Sequence, residues 1–75
     1  MKKSLVIGLG EVGSALCQVI EESGKHKLFK RDMEDLKIDE EIGIMHICIP
    51  YIGNFVDIVA NYIKKYDPKL VVINS

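Results

Sequence analysis

The sequence predicts an α/β protein in which a parallel sheet of about four strands lies between two helical layers. Apolar segments of strand length alternate along the chain with segments whose apolar residues recur at helical spacing. The first strand runs directly into a G-x-G-x-x-G turn that opens a helix. Residues 44–49 form a nearly continuous apolar run, as expected for a parallel strand that is covered on both faces. These three observations together predict the fold class.

The first strand, at residues 4–7, is followed by glycine at positions 8, 10 and 13. Gly8 permits a tight turn off the strand, and Gly10 leaves room for a phosphate group to approach the backbone. Gly13 allows the following helix to pack closely on the strand. The N–H groups of the first helical turn would face such a ligand, with the positive end of the helix dipole behind them. In this context the turn is typical of a dinucleotide site.

The next elements are predicted from apolar spacing and from the residues that end each segment. A helix is predicted over Glu11–Ser23, where apolar residues form one stripe, and Gly24 ends it as a left-handed C-cap. A short second strand follows at residues 27–31. The acidic stretch at residues 33–41 is too brief for a full crossover helix, so it is expected to hold one helical turn at most.

The last elements are a helix and a fourth strand. Pro50 stops the third strand, and Asn54 is the predicted N-cap of the second helix. That helix ends at Asp67 and Pro68, because a residue before proline is disfavoured in the α region. The fourth strand follows at residues 70–73. This order implies right-handed crossovers, the strand order 3-2-1-4 and an incomplete doubly wound sheet.

Composition and charge exclude several classes of function. The 75 residues form one small domain, residues 1–75, and the net charge of −1 lacks the basic excess of a nucleic-acid-binding protein. No apolar stretch reaches the length of a membrane span, and Cys17 and Cys48 lack metal-ligand spacing. We therefore expect a cytoplasmic protein with two reduced cysteines and with no metal, nucleic-acid partner or membrane association.

Three segments resemble the N-terminal coenzyme-binding domain of the 6-phosphogluconate and β-hydroxyacid dehydrogenase group. They are IGLGEVGSAL at residues 7–16, ICIP at residues 47–50 and VVINS at residues 71–75. UDP-sugar dehydrogenases and prephenate-type dehydrogenases are similar in the first segment. The first segment alone is typical of dinucleotide-binding folds in general, and only the combination points to this group. The resemblance implies a Rossmann-like domain that binds NAD or NADP.

The resemblance also implies which residues hold the coenzyme and what is missing. The implied coenzyme-binding residues are Gly8, Gly10, Glu11, Val12, Gly13, Ile49 and Pro50. Ser75 is implied to contact substrate. Enzymes of the group continue into the rest of the sheet and into a helical domain that supplies the catalytic lysine. We therefore expect a truncated part of a dehydrogenase, inactive by itself, whose partner is the missing C-terminal domain or a second copy of the chain.

Coenzyme choice depends on which of two neighbouring residues ends the second strand at the adenosine ribose. The spacing that is usual in the group, counted from Gly24, places Arg31 there, whereas one inserted residue in the preceding turn places Asp32 there. The Asp32 carboxylate would accept both ribose hydroxyls and repel a 2′-phosphate, which favours NAD. Arg31, with Lys30 beside it, would favour NADP. We expect Asp32 and NAD, with Arg31 and NADP as the alternative.

The alternative function is a stand-alone nucleotide-binding or interaction module without catalysis. His46 lies within an apolar strand, and no serine or carboxylate has the spacing of a catalytic triad with it. The sequence therefore assigns no catalytic residue. The exposed edge of the fourth strand is expected to cause self-association or low stability unless another chain covers it.

Overall fold

The fold consists of four parallel strands with one helix on each face of the sheet. A computed structural model describes residues 2–32, 36–50 and 53–74. Its elements are β1 (Lys2–Ile7), α1 (Glu11–Ser23), β2 (His26–Arg31), β3 (Ile44–Ile47), α2 (Phe55–Tyr66) and β4 (Leu70–Ile73). The strand pairs β1–β2, β1–β3 and β3–β4 are all parallel. The predicted α/β class and its three layers are confirmed.

The strand order is β2-β1-β3-β4, so the predicted order 3-2-1-4 is wrong. The third strand lies on the far side of β1 and not outside β2. β2 carries Lys27, Lys30 and Arg31 and is only partly buried, which suits an edge strand. β1 is apolar on both faces, and its Leu5 and Val6 are completely buried, which requires a neighbour on each side. The strand order is therefore consistent with the deep burial of β1 and the partial burial of β2. The spacing of the strands along the sequence does not reveal this difference.

The connection from β2 leads to β3 on the other side of β1, and its described residues 36–43 contain no helix. Its side chains from Leu36, Ile38 and Ile42 pack on the same face of the sheet as α2, and Ile42 is completely buried. The Tyr66 hydroxyl, from the end of α2, donates a 2.6 Å hydrogen bond to the Leu36 carbonyl. This segment therefore covers part of the sheet face, as a crossover helix does in longer α/β units.

The two faces of β1 belong to separate apolar clusters. Val6 packs with Cys17 and Ile20 of α1. On the opposite face, a larger cluster joins the strands to α2 and to the β2–β3 connection. Its buried members are Leu5, Ile7, Ile42, Met45, Ile47, Phe55, Val59 and Tyr66. The sheet is thus covered by α1 near β1 and β2 and by α2 on the other side.

Both helices begin and end close to their predicted positions. α1 ends at Gly24, which adopts the left-handed conformation with φ 66°. α2 follows Asn54, although the Asn54 side chain makes no capping hydrogen bond, and ends before Asp67, whose φ is 45°. Among the residues that the structure describes, neither helix has the length and apolarity that crossing a membrane requires.

The carboxyl ends of the strands meet at one edge of the sheet. Ile7 is in register with Arg31 on β2 and with Ile47 on β3, and Ile47 is in register with Ile73 on β4. The chain leaves every strand at this level, so Gly8, Asp32, Cys48 and Asn74 are neighbours along the edge. Backbone hydrogen bonds of 2.8 Å from Gly8 to Arg31, from Cys48 to Ile7 and from Asn74 to Ile47 fix their positions.

Candidate functional site

A cleft of about 430 Å³ lies at the carboxyl ends of the strands. We call it the carboxyl-end cleft, and its lining residues are Gly8, Leu9, Gly10, Glu11, Val12, Asp32, Cys48, Ile49, Pro50 and Asn74. It lies where the connections diverge: α1 leads from β1 to β2 on one face, and α2 leads from β3 to β4 on the other. Ligands of open α/β sheets bind at such switch points.

Gly8 and Gly13 are glycines because the fold itself requires them. Gly8 has φ 92°, and a Cβ at this position would lie 2.7 Å from the Cys48 carbonyl oxygen. A Cβ at Gly13 would lie only 1.8 Å from the Gly8 carbonyl oxygen. The first turn of α1 is therefore pressed directly on the backbone of the loop that precedes it, and it begins at the floor of the cleft.

Gly10 differs from these two glycines, because no part of the protein occupies the space that a side chain would fill. It is the N-cap residue of α1 with φ −73°, which other residues adopt readily, and a Cβ there would meet no atom within 4 Å. Its lack of a side chain leaves the first-turn amides of α1 without a side-chain cap. Packing within the protein therefore does not explain this glycine.

Asp32 joins the glycine turn from the end of β2. Its Oδ1 accepts a 3.2 Å hydrogen bond from the backbone N–H of Leu9, and the side chain is exposed to the cleft. The Ser14 hydroxyl donates a 2.9 Å hydrogen bond to the Leu9 carbonyl, so both polar groups of this loop residue are held. A carboxylate and the amino end of a helix thus border the same space.

Arg31 points away from Asp32. The two residues adjoin in the chain, but the Arg31 guanidinium carbon lies 4.6 Å from the centre of the Tyr62 ring on α2. Arg31 is half-buried there and does not line the carboxyl-end cleft. Lys30, on the opposite face of β2, is ion-paired with Glu21 of α1. Of the three residues weighed for the ribose position, only Asp32 borders the cleft.

Ile49 and Pro50 lie between the carboxyl-end cleft and a second space of about 490 Å³, which we call the α2 pocket. Gly8, Asp32, Ile49 and Pro50 line both spaces, and α2 and the turn before it complete the second one. The additional lining residues are Gly53, Asn54, Ile58 and Tyr62. Sequence reasoning missed these residues, although the spacing of positions 54, 58 and 62 would place them on one helical face.

Cys48, which lines the cleft, and His46 on β3, which does not, are both uncharged near neutral pH. Burial raises the pKa of the Cys48 thiol, and a hydrogen bond with Asn74 opposes this only in part. Burial also lowers the pKa of His46, whose Nδ1 lies 3.4 Å from the Asn74 amide nitrogen. The formal charges on the cleft wall therefore come from Glu11 and Asp32. Both side chains are exposed to water.

The predicted site residues that the structure describes are brought together with two exceptions. Gly8, Gly10, Glu11, Val12, Asp32, Ile49 and Pro50 line the cleft, whereas Gly13 lies beneath its floor and Arg31 faces α2. Ser75, predicted to contact substrate, lies outside the described residues. In the described ranges, no three side chains of the metal-binding types form a group that could hold an ion.

Comparison of the chain with protein-family models, with curated proteins and with solved structures gives no match. The fold and the geometry of the cleft are therefore the basis for a functional assignment.

Proposed function

We propose that the carboxyl-end cleft binds the dinucleotide NAD, and that the chain is the coenzyme-binding part of a dehydrogenase of the 6-phosphogluconate, hydroxyacid or UDP-sugar type. The observation that carries the proposal is the hydrogen bond from Leu9 to the Asp32 carboxylate. This hydrogen bond joins the glycine turn to a carboxylate at the switch point of a parallel sheet. The turn is suited to binding phosphates, and the carboxylate is suited to binding ribose hydroxyls.

The cleft fits the chemistry of a dinucleotide at two points. The uncapped amides at the start of α1 would donate to the pyrophosphate, and the open space at Gly10 lets it approach them. The Asp32 carboxylate, which only accepts hydrogen bonds when ionised, would receive both hydroxyls of the adenosine ribose. When bound, the nicotinamide supplies the hydride chemistry, and the protein's part is to hold and orient the coenzyme.

Replacing Asp32 with alanine is expected to weaken NAD binding about tenfold, or about 1.4 kcal/mol, because the ribose hydroxyls lose their acceptor. The same change removes the negative charge that repels a 2′-phosphate, so the preference for NAD over NADP should narrow. Isothermal titration of both coenzymes into both proteins measures the two effects. Asp39→Ala is the matched control, because Asp39 is equally exposed but does not line the cleft.

Two results would contradict the assignment of Asp32. Unchanged NAD affinity in Asp32→Ala would show that the carboxylate does not hold the ribose. A selective loss of NADP binding in Arg31→Ala, with tight NADP binding by the original chain, would transfer the ribose position to Arg31.

The charge distribution along the sheet edges favours a second candidate function, an interaction module without catalysis. The β2 edge carries cationic side chains that discourage pairing with another strand, whereas β4 has none. Leu70 and Ile73 on β4 are each more than half exposed. The edge of β4 is thus suited to pairing with a second copy of the chain.

The second candidate predicts a concentration-dependent solution mass. Light scattering should show that the solution mass rises toward that of a dimer as the protein concentration increases. Leu70→Lys should remain monomeric at every concentration, because a charge at the edge of β4 blocks strand pairing. Val19→Lys is the control, since Val19 is an equally exposed apolar residue on α1, away from β4. A monomeric mass at every concentration would exclude this candidate.

A further inference from the structure

We propose that α2 and β4 together form one docking surface for a second copy of the chain, which binds with its α2 antiparallel to the first. We call it the α2–β4 surface, and its apolar residues are Val56, Ala60, Ile63 and Ile73. None of these residues lines the carboxyl-end cleft, so docking there does not depend on coenzyme binding. This docking rests on the second candidate function, the pairing of β4 edges, and adds a helix contact that fixes the orientation of the partner.

The side of α2 that carries three of these residues faces the β4 edge of the sheet. On the other side of the helix, the Tyr62 ring lies 4.6 Å from the Arg31 guanidinium carbon at the end of β2. At about 100° per residue, Val56, Ala60 and Ile63 fall on the opposite side of the stripe that α2 buries against the sheet. Because β2 and β4 are the two edge strands, this side is directed toward β4.

This side of α2 is apolar although it is exposed to water. Val56 is 69% exposed and Ile63 39%, and Ala60 between them is exposed as well. The three residues recur at the i, i+4, i+7 spacing with which a helix presents an apolar stripe to a partner. Single exposed apolar residues are ordinary on a protein surface, whereas a stripe of this spacing indicates a contact surface.

β4 continues the surface beside α2. Val71 packs on the cluster that α2 covers, so strand alternation places Ile73 on the same face of the sheet, where it is 52% exposed. The backbone N–H groups of Leu70 and Asn74 donate to carbonyls of β3 and of the residue before it. By the same alternation, the backbone groups of Val71 and Ile73 point to the open edge, where another strand can pair with them.

The charges beside the stripe indicate that the partner is a second copy of the chain. Asp57 lies in the first turn of α2 and Lys64 in the last, seven residues apart on one side of the stripe, and both are exposed. If two copies of α2 run antiparallel with Ala60 near the symmetry axis, Asp57 of each copy comes opposite Lys64 of the other. Val56 then comes opposite Ile63, and the small Ala60 side chain lets the helices approach closely. A parallel pair would instead place like charges together.

One symmetry axis satisfies both halves of the surface. A two-fold axis perpendicular to the sheet makes neighbouring β4 strands antiparallel, which continues the sheet from one copy into the other. The same axis makes the two α2 helices antiparallel on one face of that sheet. The stripe, the paired charges and the strand edge therefore agree on a single orientation of the second copy.

The charge contact is tested by exchanging Asp57 and Lys64. Sedimentation equilibrium should show that Asp57→Lys and Lys64→Asp each raise the dissociation constant of the dimer about tenfold, because each places like charges together at two symmetric contacts. The double variant Asp57→Lys with Lys64→Asp should return the constant to within about twofold of the original chain. Both single changes oppose the helix dipole, so an effect on the fold alone would accumulate in the double variant instead of being reversed.

The apolar contact is tested at the centre of the stripe. Ala60→Glu should raise the dissociation constant at least about 100-fold, because it brings two carboxylates together at the symmetry axis. Asn61→Glu is the matched control, since Asn61 is an exposed neighbour on α2 outside the stripe, and it should change the constant by no more than about twofold. Far-ultraviolet circular dichroism shows whether each variant keeps its helices.

The outcomes separate this docking from the functions proposed above. A dimer that Leu70→Lys dissociates, but that the charge exchange and Ala60→Glu leave unchanged, would overturn the α2 contact and keep the pairing of β4 edges. Failure of the double variant to recover would also overturn the α2 contact. A monomeric mass at every concentration would overturn both the pairing and the docking. None of these results bears on NAD binding, which titration of the original chain measures separately.

Discussion

Gly13→Ala is expected to destabilise the protein by about 3 kcal/mol or more, because the new Cβ would lie 1.8 Å from the Gly8 carbonyl oxygen. Neither partner is a flexible side chain: one atom belongs to the backbone of the glycine turn and the other is fixed to α1. Alanine gains about 1 kcal/mol over glycine in helix propensity, which is too little to offset such an overlap. Because a domain of this size is stable by only about 5 kcal/mol, this change would remove more than half of its stability.

Urea denaturation followed by far-ultraviolet circular dichroism measures this loss of stability. Gly43→Ala is the matched control, because a Cβ there would make an ordinary contact, 3.4 Å from the Lys3 carbonyl oxygen. The control should change the free energy of unfolding by no more than about 0.5 kcal/mol. Equal stability of Gly13→Ala and Gly43→Ala would show that α1 does not pack on the loop backbone as closely as the structure indicates.

Gly10→Ser is expected to weaken NAD binding about 100-fold, or about 2.7 kcal/mol, without destabilising the protein. The structure leaves the space beside Gly10 open, so the Cβ of the new side chain meets no atom within 4 Å. Serine is also a better N-cap than glycine by a few tenths of a kcal/mol, because its oxygen accepts a hydrogen bond from an amide of the first turn. The same side chain would occupy the approach of a pyrophosphate and compete for its donors.

Gly10→Ser is a decisive test because it is expected to lower NAD affinity without lowering the stability of the fold. Titration calorimetry measures NAD affinity, and thermal unfolding should give a melting temperature equal to or above that of the original chain. Gly10→Val, a bulkier change, should also abolish binding, at some cost in stability because valine is a poor N-cap. Equal NAD affinity in all three proteins would mean that the turn serves only the fold and would refute the proposed function.

The strand order shows where the sequence was an incomplete guide to the fold. Each strand was predicted near its observed position from local apolar patterns, and β3 ended at Ile47 instead of Ile49. The order depended on contacts between distant segments, namely the cover that residues 36–42 give to β1. This packing decides whether a short connection crosses over a strand or returns beside it. Local periodicity contains no information about such packing.

Parts of the candidate site could likewise be predicted from the sequence and parts could not. The glycine turn and the acidic residue after β2 were predictable, because each follows a strand and carries a residue type with a specific chemical use. The choice between Asp32 and Arg31 for the ribose position could not be predicted with certainty, because one inserted residue in the preceding turn reverses it. The structure shows Asp32 on the cleft wall and Arg31 over Tyr62, and that ring comes from an element 30 residues away.

The sequence by itself determined the parallel α/β class, the positions of the helices and the glycine turn at Gly8, Gly10 and Gly13. These features depend on residue patterns within a few positions, where backbone sterics and apolar periodicity act. The structure agrees with the motif at the glycines, since a Cβ at Gly8 or Gly13 would lie 2.7 or 1.8 Å from a backbone carbonyl oxygen, whereas a Cβ at Gly10 would meet no atom within 4 Å. Only the tertiary structure decided the strand order and the separation of Arg31 from Asp32. The strand order and the position of Arg31 depend on contacts between segments far apart in the chain, so no local pattern encodes them.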